Sequence, residues 1–412
     1  AIDHEAPDLV RRLFDLDQEL INDPFAAYRQ MREESPVLRI NNLVAVARYG
    51  DVKDAMRDPV TFSSDSHRGT RVQRLRAGLS ADETARLDDL VAHEGVFTRT
   101  DDPEHARLRR FVNHAFSAAR IAEMREQIQD ITGELLDEVD ARDGNRLELI
   151  GDFAYKRPLR VITRLLGASG PETEMIRRWS EIIGVAVGTE YSNLNEASEA
   201  LDGFKEYVAG LIARGRAVFT PTDLVGELVG KDHDGVYLTD VELTKMFVQL
   251  LFAGHETTTN LIAISIIALQ ENPDQSQILR DEPSLMRPAV DEFPRYCGSV
   301  HTVHRVASRE CEIAGLPVFE GETVRLMLAS ANHDPEAFED PDTLDVRRKN
   351  ARSHVGLGFG IHTCLGQRLT RLEAEVALEA LQSRYPRLAL DGPWQKNRNL
   401  TLHGPARLDL TY

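Results

Sequence analysis

The sequence has only three cysteines among its 412 residues, namely Cys297, Cys311 and Cys364. Their small number and wide spacing exclude a disulfide framework, an iron–sulfur cluster and a zinc site built from several thiolates, because each of these needs more cysteines than any one stretch offers. Cys297 and Cys311 are predicted to be structural. A chain with so little cysteine is expected in a reducing compartment.

Basic residues are also scarce compared with acidic ones. The chain has 49 lysines and arginines against 67 aspartates and glutamates, which gives a formal net charge of -18 at pH 7. This balance argues against nucleic acid as a partner, since binding a phosphate backbone needs a basic surface, and any basic patch must be local. The first residues, AIDHE, lack the basic and apolar regions of a signal peptide, and no stretch is expected to reach the length of a membrane span. We therefore expect a cytoplasmic protein without a membrane partner.

Long linkers, low-complexity tracts and internal repeats are absent from the sequence as well. With 42% hydrophobic residues the chain can bury a sizeable core, and nothing in its composition marks a domain boundary. The composition leaves open whether the 412 residues form one large domain or two or three average ones, and one domain over residues 1–412 is what the family resemblance described below implies. The chain also lacks the glycine-rich fingerprints that bind flavin or nicotinamide nucleotides.

Glycine is concentrated in one short stretch, residues 357–366, which reads LGFGIHTCLG. Because glycine tolerates backbone conformations that other residues avoid, this stretch predicts a sharply bent loop, followed by a helix from about Leu365. The free N–H groups and the dipole at the start of that helix favour an anion, so Cys364 is predicted to be a thiolate. A single thiolate without neighbouring cysteines can serve as an axial ligand of haem.

A long helix is predicted between Thr239 and Asn272. Thr239 and Glu242 form a capping-box pattern, and Pro273 stops the helix. At about 1.5 Å per residue its length is on the order of 45 Å. Its middle reads AGHETT over residues 253–258, between apolar flanks. These flanks favour a functional polar group in a core over a tolerated interruption on a solvated face.

A further helix is predicted to start at Asp102 and Pro103, where the aspartate can cap and the proline is pre-set for the first turn. His105 and Arg109 lie four residues apart on it, so they share one face and can donate hydrogen bonds to one carboxylate. In isolation such a pair is most often surface decoration.

Strand signals predict a small sheet. Residues 37–40 and 43–46 are short apolar-rich runs around the turn-prone pair Asn41-Asn42, which is typical of a hairpin. Further strand-like runs surround residues 314–315 and 320–321.

These segments resemble the signatures of the cytochrome P450 family, which occur here in the family's order over nearly the whole chain. The resemblance implies a soluble bacterial member with a mainly α-helical fold and a smaller β-sheet portion (α+β), whose long helix runs across the haem. It implies haem b, iron protoporphyrin IX, as the cofactor, with Cys364 as the axial thiolate that binds the metal. The residues that match the family's haem-binding loop are Gly358, Gly360, His362, Cys364 and Gly366.

The resemblance also implies how the haem is held. His105 and Arg109 correspond to the residues that bind one haem propionate, and Arg305 to the residue that binds the second. Glu292 and Arg295 correspond to the family's Glu-x-x-Arg, a structural ion pair that supports the haem loop, since residues three apart can meet on one helical face.

In the long helix the resemblance implies a site of oxygen activation. Gly254, with Ala253 before it, corresponds to the position that leaves room for dioxygen, and Glu256 and Thr257 correspond to an acid–alcohol pair that delivers protons. Heterolytic cleavage of the O–O bond needs two protons, and a buried apolar pocket supplies none without such a relay. The thiolate ligand pushes electron density toward the same bond.

The chain departs from the family pattern at three positions. Pro294 lies inside the Glu-x-x-Arg motif, so the helix is expected to end or kink there. Thr343 stands where the family commonly has the third member of the ion cluster, and either Arg347 or Arg348 could replace it. Leu357 stands where a phenylalanine normally covers the sulfur, which predicts haem binding with an altered redox poise.

The resemblance implies a monooxygenase that inserts one oxygen atom of dioxygen into a small organic substrate. Electrons are expected from NAD(P)H through ferredoxin reductase and ferredoxin, because the chain has neither a nucleotide fingerprint nor cysteines for an iron–sulfur cluster. A monomer is expected. By resemblance, residues 66–100 cover the substrate and residues 172–218 form a lid; the arginines between 68 and 76 are either a solvated face or a site for an acidic substrate.

Two other functions are compatible with the sequence. A peroxide-driven peroxygenase on the same fold would not need the acid–alcohol pair, so Glu256 and Thr257 weigh against it. A non-enzymatic haem sensor or carrier of diatomic gases would show no substrate-dependent consumption of NAD(P)H.

Overall fold

The computed structural model describes residues 6–167, 172–188, 191–217, 224–230, 232–233, 235–396 and 399–412. The pentapeptide AIDHE, and residues 189, 190 and 218 of the predicted lid, lie outside the described residues. The chain divides into two compact units. The sheet unit comprises Ala1–Gln73, Thr132–Ala154 and Thr257–Tyr412, and the helical unit comprises Arg74–Ile131 and Tyr155–Glu256. The single domain over residues 1–412 stays a prediction.

Helices account for most of the described residues, which confirms the predicted mainly α-helical class with a smaller β-sheet portion. In chain order the helices are α1 (Asp8–Phe14), α2 (Gln18–Asn22), α3 (Phe25–Glu34), α4 (Tyr49–Arg57), α5 (Thr70–Ala77), α6 (Ala81–Glu94), α7 (Glu104–Asn113), α8 (Ala118–Glu123), α9 (Arg125–Asp140), α10 (Lys156–Leu165), α11 (Glu172–Gly188), α12 (Leu194–Ala217), α13 (Leu224–Gly230), α14 (Asp240–Glu271), α15 (Pro273–Asp281), α16 (Met286–Ala289), α17 (Glu292–Tyr296), α18 (Leu328–Ala331) and α19 (Gln367–Arg384).

The strands are short and lie mostly in the sheet unit. In chain order they are β1 (Val37–Ile40), β2 (Leu43–Val46), β3 (Phe62–Ser63), β4 (Arg146–Glu148), β5 (Asp232–His233), β6 (Val236–Tyr237), β7 (Thr302–Ala307), β8 (Cys311–Ile313), β9 (Leu316–Val318), β10 (Thr323–Met327), β11 (Ala389–Leu390) and β12 (Asp409–Thr411).

The strands β1 and β2 form the predicted hairpin. Ile40 pairs with Leu43, so the turn contains two residues, and these residues, Asn41 and Asn42, have φ angles of 48° and 61°. Two successive positive φ angles are typical of a type I′ turn, whose twist matches that of the paired strands. Asparagine adopts this conformation more readily than most residues, so the local sequence determines the turn.

The hairpin belongs to a five-stranded sheet with the order β1-β2-β10-β7-β3. The strands β2 and β10 run parallel, and the other neighbours run antiparallel. Successive side chains of a strand point to opposite faces. Leu43 and Ala45 accordingly pack with α1 and α3, whereas Val44 and Val46 pack with α4. The sheet therefore has an apolar core on each face.

The long predicted helix is α14, and its start is capped as expected. The Oγ1 atom of Thr239 accepts a hydrogen bond of 3.2 Å from the N–H of Glu242, whose carboxylate accepts one of 2.7 Å from the N–H of Thr239. With 32 residues the helix is about 48 Å long. The expectation that no stretch reaches a membrane span is therefore wrong by length and composition, but 72% of its apolar window is buried, which fits a core helix.

The helical unit is built mainly from α6, α10 to α13 and the first half of α14. Trp179 of α11 packs against Phe204 of α12, with ring centroids 5.2 Å apart. The side chain of Gln249 on α14 accepts a hydrogen bond of 2.6 Å from the N–H of Phe97 and donates one of 3.2 Å to Thr98. The helices α11 and α12 span most of the predicted lid, whose motion stays a prediction.

Buried histidines with lowered pKa values occur in both units. Burial disfavours the charged imidazolium, so each of these rings is neutral near pH 7. They are His105, His255, His301, His333, His354 and His403.

The sheet unit shows how one of these rings is held. Burial lowers the pKa of His301 to about 3. Its Nε2–H faces the carbonyl oxygen of Cys297 at 3.5 Å, so Nδ1 accepts the hydrogen bond of 2.9 Å from the hydroxyl of Tyr28. The ring stacks on His403 with centroids 3.7 Å apart. Tyr28 therefore supplies the donor for a buried acceptor.

Replacing Tyr28 with phenylalanine should leave Nδ1 of His301 buried without its donor. We expect the free energy of unfolding to fall by about 1–3 kcal/mol, the cost of an unsatisfied buried polar group. The measurement is urea unfolding of the purified protein. Tyr49→Phe is the matched control, because the Tyr49 hydroxyl donates to the carbonyl of Ser353 at the exposed surface, where water can replace it. Equal losses in both variants would contradict this account of His301.

Candidate active site

Two glycines bend the loop over residues 357–366. Gly358 and Gly360 have φ angles of 76° and 71°, a region that side chains disfavour. A Cβ atom on Gly358 would lie 3.0 Å from the carbonyl oxygen of His362, and one on Gly360 would lie 2.7 Å from that of Met56. Only glycine fits these two positions without strain. Gly366 differs, because its φ is -81° and there is open space beside it.

Cys364 lies near the end of this loop, three residues before α19 begins. Its N–H donates to the carbonyl oxygen of Leu357 at 2.8 Å, and its own carbonyl accepts from the N–H of Gln367 at 3.3 Å. The helix α19 begins at Gln367, so the predicted start at Leu365 was two residues early. The cysteine still precedes the amino end of an 18-residue helix, whose dipole favours a thiolate.

The other two cysteines are held as thiols. The Sγ–H of Cys297 donates to the carbonyl oxygen of Phe293 at 3.2 Å, and burial raises the pKa of this thiol to about 12. Burial also raises the pKa of Cys311, which lies on β8. Neither environment favours the anion that binds a metal.

Helix α4 supports the loop through contacts that the sequence did not predict. The Nζ atom of Lys53 and the Cζ atom of Arg57 lie 4.8 Å and 5.3 Å from the ring centroid of Phe359. These are cation–π contacts, made from two positions four residues apart on one helical face. The carbonyl oxygen of Met56, between them, is the atom that leaves no room for a side chain at Gly360.

Glu292 is a buried carboxylate that two arginines share. Arg295 donates to it through two nitrogens, each at 2.7 Å, and Arg348 donates through Nε at 3.1 Å. The side chains of Glu292 and Arg348 are 1% and 8% exposed, so the cluster is closed to water. Of the two candidate replacements for the third member, Arg348 takes this place, whereas Arg347 pairs with Glu282 at the surface.

Backbone carbonyls complete the cluster. Arg295 donates to the carbonyl oxygens of Asn332, Pro341 and Thr343. Thr343 therefore contributes its backbone, and the guanidinium that the family commonly has at this position comes from a later residue. The helix α17 ends at Tyr296, two residues after Pro294, in agreement with the predicted helix end.

The sheet unit also places two of the predicted haem-binding residues, one from the propionate site and one from the haem loop. Arg305 on β7 is buried, and its Nη1 donates to the carbonyl oxygen of His304 at 2.7 Å. His362 is half-buried and ends the short turn Gly360–His362. Their contacts with a cofactor stay predictions.

The helical unit places His105 and Arg109 on α7, which begins at Glu104. His105 is buried, with Nδ1 3.3 Å from the carboxylate of Asp102. Burial lowers the pKa of His105, and the hydrogen bond to Asp102 opposes that shift. Arg109 is half-buried four residues later, so the two side chains share the face that their spacing predicts.

Gly254 of α14 packs against α10. A Cβ atom at this position would lie 3.3 Å from Cγ1 of Ile162. The close packing of Ile162 therefore favours glycine at position 254 within the helical unit. The family pattern implies a second reason, namely room for dioxygen. The helix is continuous through this position, and Ala253 before it is exposed.

The carboxylate of Glu256 lies against α11 at Gly184. Its Oε2 atom is 3.2 Å from the place that a Cβ atom of Gly184 would occupy, and the ring of Phe252 is 3.8 Å from the same point. Burial raises the pKa of Glu256 to about 7, and the negative charge of Glu181 adds to this shift. The group can therefore gain or lose a proton near neutral pH.

His255, next to this glutamate, forms a pair with Tyr155 that the sequence did not predict. Its Nδ1–H donates to the carbonyl oxygen of Leu251 at 2.6 Å, so Nε2 accepts the hydrogen bond of 2.9 Å from the hydroxyl of Tyr155. Burial lowers the pKa of His255 to about 4. No local pattern could have paired residues that lie 100 positions apart.

Comparisons with known proteins agree with this geometry. The sequence model of the family "Cytochrome P450" matches residues 190–402. The chain is 36% identical to cytochrome P450 107B1 of Saccharopolyspora erythraea, over 94% of this chain and 92% of that protein. It is 34% identical to the 6-deoxyerythronolide B hydroxylase of the same organism, over 94% of this chain and 96% of that one. The chain belongs to the cytochrome P450 family. Among solved structures, cytochrome P450 PksS of Bacillus subtilis superposes with a TM-score of 0.86 at 29% identity, over 96% of this chain and 98% of its own.

As a cytochrome P450 monooxygenase, the protein uses haem b with a cysteine thiolate as the axial ligand. The sheet unit fits this cofactor, because its glycine-bent loop fixes one cysteine ahead of a helix while the other two cysteines are held as thiols. The predicted fold, enzyme class and cofactor are thereby confirmed.

Replacing Arg348 with alanine should destabilise this cytochrome P450, because the buried carboxylate of Glu292 would keep only the guanidinium of Arg295 as a partner. We expect the free energy of unfolding to fall by about 1–3 kcal/mol, since Glu292 loses a buried charge-assisted hydrogen bond while Arg295 still balances its charge. Urea unfolding followed through the haem absorbance measures it. Arg347→Ala removes a neighbouring arginine whose ion pair is exposed, so it should change stability far less. The reverse order of the two losses would show that Arg348 is not the third member of the cluster.

Proposed function

We propose that this cytochrome P450 inserts one oxygen atom of dioxygen into a small organic molecule, and that Glu256 and Thr257 deliver the protons that the reaction consumes. The observation that carries the proposal is Glu256, a carboxyl group in the middle of α14 whose pKa is raised to about 7 by burial and by Glu181. Such a group can both hold and release a proton near neutral pH.

The haem, when bound, supplies the activation of dioxygen. The chain supplies protons: the hydroxyl of Thr257 can accept one hydrogen bond and donate another at the same time, so it can pass a proton onward from Glu256. His255 is unsuited to this task, because its pKa lies near 4 and its two ring nitrogens are engaged by Leu251 and Tyr155. The acid–alcohol pair weighs against a peroxide-driven reaction.

We assign the haem contacts from the family resemblance and from the environments of the three cysteines. Cys364 is the axial ligand, because the thiols of Cys297 and Cys311 lie in environments that raise their pKa values. The other proposed haem-binding residues are His105, Arg109, Arg305, His362, Gly358 and Gly366. The first three bind the propionates, and Glu292 and Arg295 support the loop.

Electrons come from NAD(P)H through ferredoxin reductase and ferredoxin. The absence of nucleotide fingerprints and of cysteines for an iron–sulfur cluster supports an external source. The enzyme acts as a cytoplasmic monomer without a membrane or nucleic acid partner. The burial of α14 supports the absence of a membrane partner, and the net charge of -18 supports the absence of a nucleic acid partner. The name of the related 6-deoxyerythronolide B hydroxylase supports hydroxylation of an organic molecule.

The first test concerns the metal ligand. Cys364→Ser should abolish the thiolate signature in the ferrous carbon monoxide spectrum, because serine does not supply a thiolate. Cys311→Ser is the matched control and should keep the signature. If the signature survives in Cys364→Ser, another cysteine is the ligand and the assignment is wrong.

The second test concerns proton delivery. Thr257→Ala should still bind haem and substrate and consume NAD(P)H with its redox partners, but a large share of the electrons should end in hydrogen peroxide. The reason is that cleavage of the O–O bond needs a second proton, and reduced dioxygen whose O–O bond is not cleaved is released as hydrogen peroxide. The measurement is product formed per NAD(P)H consumed. Thr258→Ala, at the next position, is the control and should stay coupled.

Glu256→Gln distinguishes the role of Glu256 from that of Thr257. It removes the titratable group while nearly keeping its size, so it should slow overall turnover by about tenfold or more. Full coupling in Thr257→Ala together with normal turnover in Glu256→Gln would mean that other groups carry the protons.

A further inference from the structure

Helix α11 carries a second carboxylate on the face against which Glu256 lies. Glu181 precedes Gly184 by three residues, so the two positions are neighbours on one helical face. The Glu256 carboxylate lies over Gly184, 3.2 Å from its missing Cβ atom, with the ring of Phe252 beside the same point. The side chain of Glu181 is 47% exposed. One carboxylate therefore meets solvent, and the other lies further inside.

Arg177 fixes the position of Glu181. It pairs with Glu181 one turn later and with Glu174 one turn earlier. Its guanidinium also lies over the ring of Tyr155, 5.8 Å from the centroid, and the hydroxyl of Tyr155 donates to His255. These contacts tie α11 and the start of α10 to α14 around Glu256.

The charged and titratable groups around Tyr155 and Glu256 come from three elements of the helical unit. They are Glu174, Arg177 and Glu181 on α11, Tyr155 and Lys156 at the start of α10, and His255 on α14. Burial raises the pKa of Tyr155 far above neutrality and lowers that of His255 to about 4, so neither exchanges protons near pH 7. Glu181 is the accessible carboxylate of this set that acts on Glu256.

We propose that Glu181 is the outer carboxyl group of the proton relay, which takes protons from solvent and passes them to Glu256 across the face of α11 at Gly184. The inference rests on the proposed role of Glu256. A proton from water binds the Glu181 carboxylate, moves to Glu256 after that group has given up its own proton, and leaves Glu181 ionised again. No electrons are transferred in these steps.

The test follows Glu256 directly and then the reaction. In the resting haem-loaded enzyme, infrared difference spectra against pH should show a protonated-carboxyl band that disappears in Glu256→Gln. Glu181→Gln should lower the midpoint of that band by about half a pH unit, because it removes a nearby negative charge. It should also slow coupled turnover by about tenfold or more.

The matched control is Glu174→Gln, which makes the same change on the same helix and beside the same arginine. It should leave the midpoint and the turnover unchanged. If Glu181→Gln behaves like Glu174→Gln in both measurements, the inference is overturned. If Glu256→Gln itself keeps normal turnover, the proposed function fails instead, so the two failures are distinguishable.

A second pair of variants tests the route at Gly184. Gly184→Ala adds a methyl group 3.2 Å from Oε2 of Glu256, which must move, so turnover should fall as in Glu181→Gln. Gly210→Ala on α12 meets open space and is the control. Both changes favour the helix by up to about 1 kcal/mol, so poor folding would not explain a loss. Unchanged turnover in Gly184→Ala would overturn the route.

Discussion

A buried carboxylate, Glu292, is the constraint on which the haem loop depends. Burying its charge is costly unless ion pairs and hydrogen bonds compensate it, so the elements that supply them must come together at once. Arg295, which pairs with it, also donates to the carbonyl oxygen of Asn332, whose side chain accepts from the N–H of Val355. The carbonyl of Val355 in turn accepts from the N–H of Gly358. The position of the loop is thus set by the need to satisfy one charge in the core.

The apolar surroundings of α14 shift the pKa values of two adjacent residues in opposite directions. Burial lowers the pKa of His255 and raises that of Glu256, so it shifts both groups toward their uncharged forms. The middle of this core helix therefore holds polar groups with little net charge. What distinguishes Glu256 is that its pKa lies near neutrality, whereas the histidine is locked by two hydrogen bonds. Proton exchange is confined to the residue that can titrate.

Features with a local cause could be predicted from the sequence. The turn at Asn41 and Asn42, the cap at Thr239 and the pairing of Glu292 with Arg295 each depend on residues within three positions of one another. Contacts between distant segments could not, because packing alone brings Tyr155 to His255 or Lys53 to Phe359. The sequence shows that Thr343 stands where the family commonly has an arginine. Only the structure shows that Arg348 rather than Arg347 replaces that arginine. Length and apolarity likewise did not reveal what covers α14.

Among the described residues, six buried histidines have lowered pKa values, and these shifts reduce the stability of the folded protein in acid. Their folded pKa values lie below the ordinary value of about 6.5, so below that pH the unfolded chain binds protons that the folded chain refuses. Each such ring can remove up to about 1.4 kcal/mol of stability per pH unit as the pH falls from 6.5 toward its folded pKa. For His255 and His301 this window extends down to about pH 4 and pH 3. Acid sensitivity is therefore a property of the packed interior of this enzyme, whatever its surface charge.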